Sequence, residues 1–270
     1  MNAWSVAVLW FGSMLMIQSA AGYSGEHPEL LFLTEHSPPG QYLDQSGQVA
    51  GVTVELIQQL KQRVGQSGSI ELLPWARAFE IANTHPSIAL FETARTTERE
   101  KLFQWVGPLK YVQTSLYGRA DRFEHHDKNV RLNPNLIACE YRSSLHVSRL
   151  QQYGFEEGRN LVLTLSHGDC FQMLILERVD LIVLHDAAVT ERQQQLQASN
   201  QTDLVKLQPI REVELYLAFS RDISSEQVAI WQQALAQSYL DGTMRGLYQG
   251  IYAESMLERL EQWAEQVVGN

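Results

Sequence analysis

Residues 30–40 read Leu30-Leu31-Phe32-Leu33-Thr34-Glu35-His36-Ser37-Pro38-Pro39-Gly40. Four apolar residues in a row predict a buried strand, and two prolines with a glycine end it in a loop. A short turn with Asp44, Ser46 and Gly47 follows. Thr53, Leu56, Ile57, Leu60 and Val64 then recur at helical spacing, and Gly65 closes the helix. Strand, loop and amphipathic helix repeat outward from here. Ile70 to Leu73 reads as a strand, Pro74 leads into a helix near Ala76 to Asn83, and Ile88 to Phe91 is a third strand. This alternation predicts a mostly parallel sheet with helices on its faces.

The rhythm returns further along. Leu136 to Tyr141, Leu161 to Leu165 and Val179 to Leu184 read as strands, with helices at Ser144 to Tyr153, Cys170 to Glu177 and about Ala187 to Ala198. Glu214 to Ser220 is again a strand. Ser224 and Gln227 form a capping box for a helix that presents Val228, Trp231, Leu235 and Tyr239. Asp241-Gly242-Thr243 breaks it, and an amphipathic helix runs from about Glu254 to Val267. The expected fold is α/β with two lobes. Lobe one would hold residues 22–114 and 214–270, lobe two residues 115–213, with crossings near Gln113–Gly118 and Pro209–Glu214.

The chain has 270 residues, 31 acidic and 21 basic, and a formal charge of −10; 44% of residues are hydrophobic and 19% charged. That is a globular composition. Its acidity argues against nucleic acid as a partner. Residues Met1 to Ala21 carry no charge, Ala3 to Ile17 is almost wholly apolar, and Ser19-Ala20-Ala21 resembles a cleavage site. A cleaved signal peptide over residues 1–21 is expected, with an exported, periplasmic product; the alternative is a retained anchor. In an oxidising compartment Cys139 and Cys170 would tend to pair. In a sheet ordered 2-1-3, Cys139 near the end of strand one and Cys170 at the start of the crossing helix come within disulfide reach. Two buried thiols are the alternative.

The chain has no phosphate-binding glycine loop, no H-E-x-x-H and no G-x-S-x-G. His125-His126-Asp127 lies in a polar run and reads as a solvated loop, so neither metal nor cofactor is expected. Ligands of open parallel sheets sit beyond the carboxyl ends of the strands. Arg77, Arg95 and Arg99 each follow a predicted strand end and offer forked donors suited to a carboxylate. Surface salt bridges with Glu92, Glu98 and Glu100 are the plainer reading of any one of them. Ser143 and Ser144 open a predicted helix and suit an anion, or simply cap it. Trp75 is a stacking platform or core. Glu35, Glu92 and Asp186 are placed to hold a cation or to neutralise an arginine.

Taken together these residues resemble the periplasmic solute-binding proteins of family 3, the amino-acid-type receptors of ABC importers. The likeness lies in the loop and turn of Thr34 to Gly51, in Thr96-Thr97-Glu98-Arg99 with Phe103 and Pro108 after it, and in Arg142-Ser143-Ser144. Glu177-Arg178-Val179-Asp180 and Asp241-Gly242-Thr243 complete it. The resemblance implies a two-lobed, type II periplasmic-binding-protein fold. It implies that Arg99 clamps a ligand carboxylate, that Ser143 or Ser144 closes on it from the second lobe, and that Trp75 forms an aromatic wall. His185, followed by Asp186, occupies the place of the acid that holds an α-ammonium. Ser37, Phe91, Glu92 and Ala94 depart from the amino-acid binders. The implied function is capture of a small polar, carboxylate-bearing solute by a monomer and its delivery to a membrane ABC permease. The alternatives are a periplasmic sensor for a membrane signalling protein, and a small-acid dehydratase on the same fold, with Glu35, Glu92 or His185 as acid.

Overall fold

The computed structural model describes residues 29–123, 130, 133, 135–142, 144–166, 168–200 and 202–269. The expected signal segment, His125-His126-Asp127 and Ser143 lie outside them. The elements in chain order are β1 (Leu31–Thr34), β2 (Tyr42–Leu43), β3 (Val49–Ala50), α1 (Val52–Val64), β4 (Ile70–Leu72), α2 (Trp75–Thr84), β5 (Ile88–Ala94) and β6 (Gln104–Arg119). Then come α3 (Ala120–Phe123), β7 (Ala138–Tyr141), α4 (Val147–Gln152), β8 (Leu161–Thr164), α5 (Asp169–Ile175), β9 (Leu181–His185) and α6 (Val189–Ala198). The chain ends with β10 (Leu204–Phe219), α7 (Ser225–Leu240), α8 (Thr243–Tyr248) and α9 (Glu254–Val268).

Eight strands form one sheet in the order β4-β1-β5-β10-β6-β9-β7-β8. Both ends have the parallel 2-1-3 order: β4-β1-β5 at one, β8-β7-β9 at the other. The long antiparallel pair β6 and β10 joins them, in register from Gln104↔Phe219 to Arg119↔Leu204. The expected crossings near Gln113–Gly118 and Pro209–Glu214 fall within these two strands, in the second half of β6 and the middle of β10. The strand expected at Glu214 starts ten residues earlier, at Leu204. Charged residues and Pro209 made that stretch look like a connection. It is a two-stranded bridge whose register shifts around Pro209, where a missing amide is tolerated.

The larger core lies at the β4-β1-β5 end, where Phe32, Phe91, Phe219, Trp231, Tyr239 and Tyr248 are all buried in one cluster. At the other end the apolar residues divide into two smaller groups. Leu116, Leu136, Leu150 and Phe155 form one, and Cys139, Cys170, Phe171 and Ile182 the other. The Cys139–Cys170 disulfide is formed, with Cα atoms 5.4 Å apart, and fastens the start of α5 to β7. Ser224 caps α7 by accepting from the Gln227 amide at 3.1 Å, as the capping box predicts.

Candidate functional site

A cleft opens where the loops after β1, β5, β7 and β9 meet over the β6–β10 bridge. Val112 and Thr114 of β6 and Val213 and Leu215 of β10 form its floor. Glu35, Trp75, Glu92 and Arg99 line one wall, and Tyr141, His146 and His185 the other. Two adjoining hollows share residues with it. One reaches Leu72–Ala76 and Leu165 through Glu35, Trp75 and Tyr141. The other runs back beneath Tyr141, His146 and His185 toward the disulfide.

Arg99 is the cation of this cleft. It follows β5 in a turn in which its amide donates to the Thr96 carbonyl at 3.0 Å. Its guanidinium lies 5.0 Å from the ring centres of both Trp75 and Phe79, while Nη1 donates to the Ala94 carbonyl at 3.3 Å. Cation–π contact with two aromatic rings holds the fork without using up its donors. Burial pulls the Arg99 pKa down, and the charges of Tyr141, Glu35 and Glu98 oppose this. The carboxyl of Glu35 is raised to about 8 by burial first, then by Glu92 and Glu140, with Arg99 acting against them. Near neutral pH Glu35 therefore keeps its proton and leaves Arg99 without a full counter-charge.

Tyr141 packs against the Trp75 group across the cleft, and a hydrogen bond also spans it. Ser37 Oγ, in the loop after β1, is 3.2 Å from His185 Nε2 at the end of β9. His185 Nδ1 accepts from the Ala188 amide at 3.2 Å, which puts the ring proton on Nε2 and makes it the donor to Ser37.

Glu92 is buried at a positive φ of 59° in β5, where the pairing with β10 is irregular. Its carboxylate is ion-paired with buried Lys110 and accepts from Thr53 Oγ1 at 2.5 Å and Gln41 Nε2 at 2.8 Å. Burial alone would lower the Lys110 pKa; Glu92 raises it above the ordinary value. A Cβ at Gly40 would stand 2.7 Å from Glu92 Oε1 and 2.8 Å from Lys110 Nζ, so any side chain there would displace this ion pair. This network anchors the Pro38–Pro39 loop, and with it Ser37.

The structure corrects several expectations. Arg77 is exposed on α2 and lines none of these hollows. Arg95 lies outside the cleft, its fork held by Glu100 at 2.7 and 2.6 Å and its face against Trp105 and Tyr216. Arg142 is exposed and pairs with Glu157 at 2.6 Å. Ser144 is buried, and its hydroxyl accepts from the His146 amide at 3.1 Å, because α4 starts three residues later than expected. Asp186 turns away from the cleft to Tyr117 at 2.9 Å and Lys206 at 2.8 Å. Glu35, Trp75, Arg99 and His185 do come together. Sequence reasoning missed Tyr141, His146 and Glu140; a charged residue inside the buried strand Ala138–Tyr141 was the available signal for the last. Among the described residues, no group of three or more His, Cys, Asp or Glu side chains is placed to hold a metal ion.

The profile of the bacterial extracellular solute-binding proteins, family 3, matches residues 31–253. Among curated proteins no sequence matches this one. A histidine kinase sensor domain with similarity to periplasmic binding proteins superposes with a TM-score of 0.71 at 19% identity, covering 84% of this chain and 97% of that one. The arginine-, lysine-, histidine-binding protein ArtJ from Geobacillus stearothermophilus gives 0.73 at 14% identity, over 87% and 100% of the two chains. The ancestral amino acid-binding protein AncCDT-1, a precursor of cyclohexadienyl dehydratase, gives 0.70 at 16%, over 83% and 96%. At these identities the likeness is one of fold: two α/β lobes about a shared cleft.

Proposed function

The chain belongs to the bacterial extracellular solute-binding proteins, family 3, and from that premise we propose that it is an exported receptor for a small carboxylate-bearing solute. Residues 1–21 serve as its cleaved signal peptide. Residues 22–114 with 214–270, and residues 115–213, form the two lobes that close on the solute. The observation that carries the reading is Arg99, a forked cation held against Trp75 and Phe79 and facing His185 across the cleft. The solute carboxylate takes the fork and Trp75 covers its apolar part. Ser37 and His185, already in contact across the opening, hold the lobes together. The closed form is then presented to a membrane partner. An ABC importer is the first choice; the fold shared with a kinase sensor domain supports a signalling partner as the second.

A thermal-shift screen of amino acids, dicarboxylates and amines identifies the solute class, since a ligand bound only by the folded state raises Tm. Calorimetry then tests Arg99. Charge-assisted contacts are worth roughly 1.5–3 kcal/mol, so Arg99→Ala should weaken binding at least about tenfold. Arg99→Lys should recover only part, for want of a fork. Arg95→Ala, outside the cleft, should leave affinity within about twofold, as expected of a residue without ligand contact. Unchanged affinity in a folded Arg99→Ala protein would remove the clamp.

A further inference from the structure

Leu165 is the most exposed large apolar side chain among the described residues, at 85% against at most 57% for any other. It follows β8, the edge strand of its lobe, and joins neither of the core groups there. Leu72, Leu73, Pro74 and Ala76 of the other lobe, from the end of β4 to the start of α2, line the same hollow. That hollow measures about 250 Å³ and shares Glu35, Trp75 and Tyr141 with the cleft. The cleft beside Arg99 measures about 100 Å³. Small-molecule sites start at roughly 300 Å³, and the two spaces reach that size only together.

We propose that this hollow receives the apolar tail of the solute, so that the solute is an amphipathic monocarboxylic acid with its carboxylate at Arg99 and an aliphatic or aryl chain reaching past Trp75 and Tyr141 to Leu165. The inference rests on the reading of the cleft as a carboxylate site and names the class of solute that the site takes. A lone exposed leucine needs no explanation. Here the leucine of one lobe shares a hollow with the apolar turn of the other, and that hollow continues a cleft whose floor is also apolar at Val112, Val213 and Leu215. A chain lying there takes both walls out of water, which is favourable in proportion to the area covered.

The charges of the region fit this division. The titratable groups bordering the hollow are Glu35, His36 and the Tyr141 phenol. Burial raises Glu35 to about 8, so it keeps its proton at pH 7. Burial and then Arg192 lower the His36 pKa, so its ring is neutral there too. The described walls therefore present no full charge to a tail. A charged group at the far end of the solute would lose water against Leu72 and Leu165 without gaining a partner. The hollow on the disulfide side differs, since Glu140, His146, Glu191 and Arg192 border it and a hydrocarbon chain would strip them of water.

The test uses the mature protein at pH 7 with butyrate, hexanoate and octanoate, and with suberate and 8-aminooctanoate, which match octanoate in length but end in a charge. Calorimetry should show affinity rising about fourfold per buried methylene. Octanoate should then bind at least about fifteenfold more tightly than butyrate, the worth of two such methylenes. The heat-capacity change should grow more negative along the series. Suberate and 8-aminooctanoate should bind no more tightly than butyrate. Leu165→Ser, at an exposed position, keeps the fold and should cut the preference for octanoate over butyrate at least about fourfold. Ala76→Trp, which fills the hollow from the other lobe, should do the same. Octanoate no tighter than butyrate overturns the proposal, as does a suberate or 8-aminooctanoate affinity equal to that of octanoate. So does an equal loss for butyrate and octanoate in Leu165→Ser, which would assign Leu165 to lobe closure alone. Butyrate binding that is lost in Arg99→Ala still upholds the cleft reading in those cases, and absence of any carboxylate binding removes both.

Discussion

Two buried carboxyls, Glu92 and Glu140, stand on opposite sides of one cleft. Glu92 sits beside the larger core and is matched by an ammonium, a hydroxyl and an amide. Glu140 sits between two smaller apolar groups, with the Tyr141 amide and the Ser144 hydroxyl beside it and no cation. The first arrangement builds a rigid loop, since a charge fully paired in a dry site can occupy only one geometry. In the second, burial raises the carboxyl pKa and only neutral donors, the Tyr141 amide and the Ser144 hydroxyl, oppose it. The larger core carries the fully paired carboxylate, and the smaller one is held by a disulfide.

The comparison breaks if Glu92 proves as dispensable as Glu140. Lys110→Met leaves Glu92 buried without its cation, a change that costs about 3–5 kcal/mol. Chemical denaturation should show that loss, and a drop below 1 kcal/mol would mean that water or movement relieves Glu92. Converting Cys139 and Cys170 together to serine removes a crosslink over 31 residues, worth about 3–4 kcal/mol by chain entropy. Hydrogen exchange should place the loss in β7, β8 and α5, with the β4-β1-β5 end still protected. Equal deprotection of both ends would mean that they unfold as one unit and that the disulfide serves the whole chain.

The pH dependence is the sharpest of these effects. The folded protein raises Glu140 from 4.5 to about 8, so between these values the folded state keeps a proton that the unfolded chain has lost. Ligand-free stability should therefore fall as pH rises from 5 to 8, by at most about 1.4 kcal/mol per unit for this group. Glu35 contributes in the same direction. Unfolding curves of Glu140→Gln should be flatter across that window. An unchanged slope would show that Glu140 is already ionised or solvated in the folded protein.

Local pattern made much of the fold legible. Apolar runs of four or five residues in the parallel strands, helical spacing in Thr53–Val64 and the capping box at Ser224 depend only on neighbours in sequence. The structure has those elements where expected. The β6–β10 bridge was not legible, because its two strands pair across about 100 positions of sequence and carry charge and proline. The same division holds for the site. Arg99 and Trp75 follow strand ends, and strand order alone sends such residues to one rim. Arg77, Arg95 and Arg142 follow strand ends too, and only packing separates them. Glu100 and Glu157 are near enough in sequence to capture two of them, and the turn of α2 exposes the third.

What the sequence by itself determined is the set of elements and the rim they supply, since periodicity and turn chemistry act over a few residues. What only the tertiary structure decided is which charges face one another. Lys110 reaches Glu92, Lys206 draws Asp186 out of the cleft, and no resident cation reaches Glu140 among the described residues. Electrostatic energy depends on distance through a dry interior, and those distances are set only when the whole sheet is assembled.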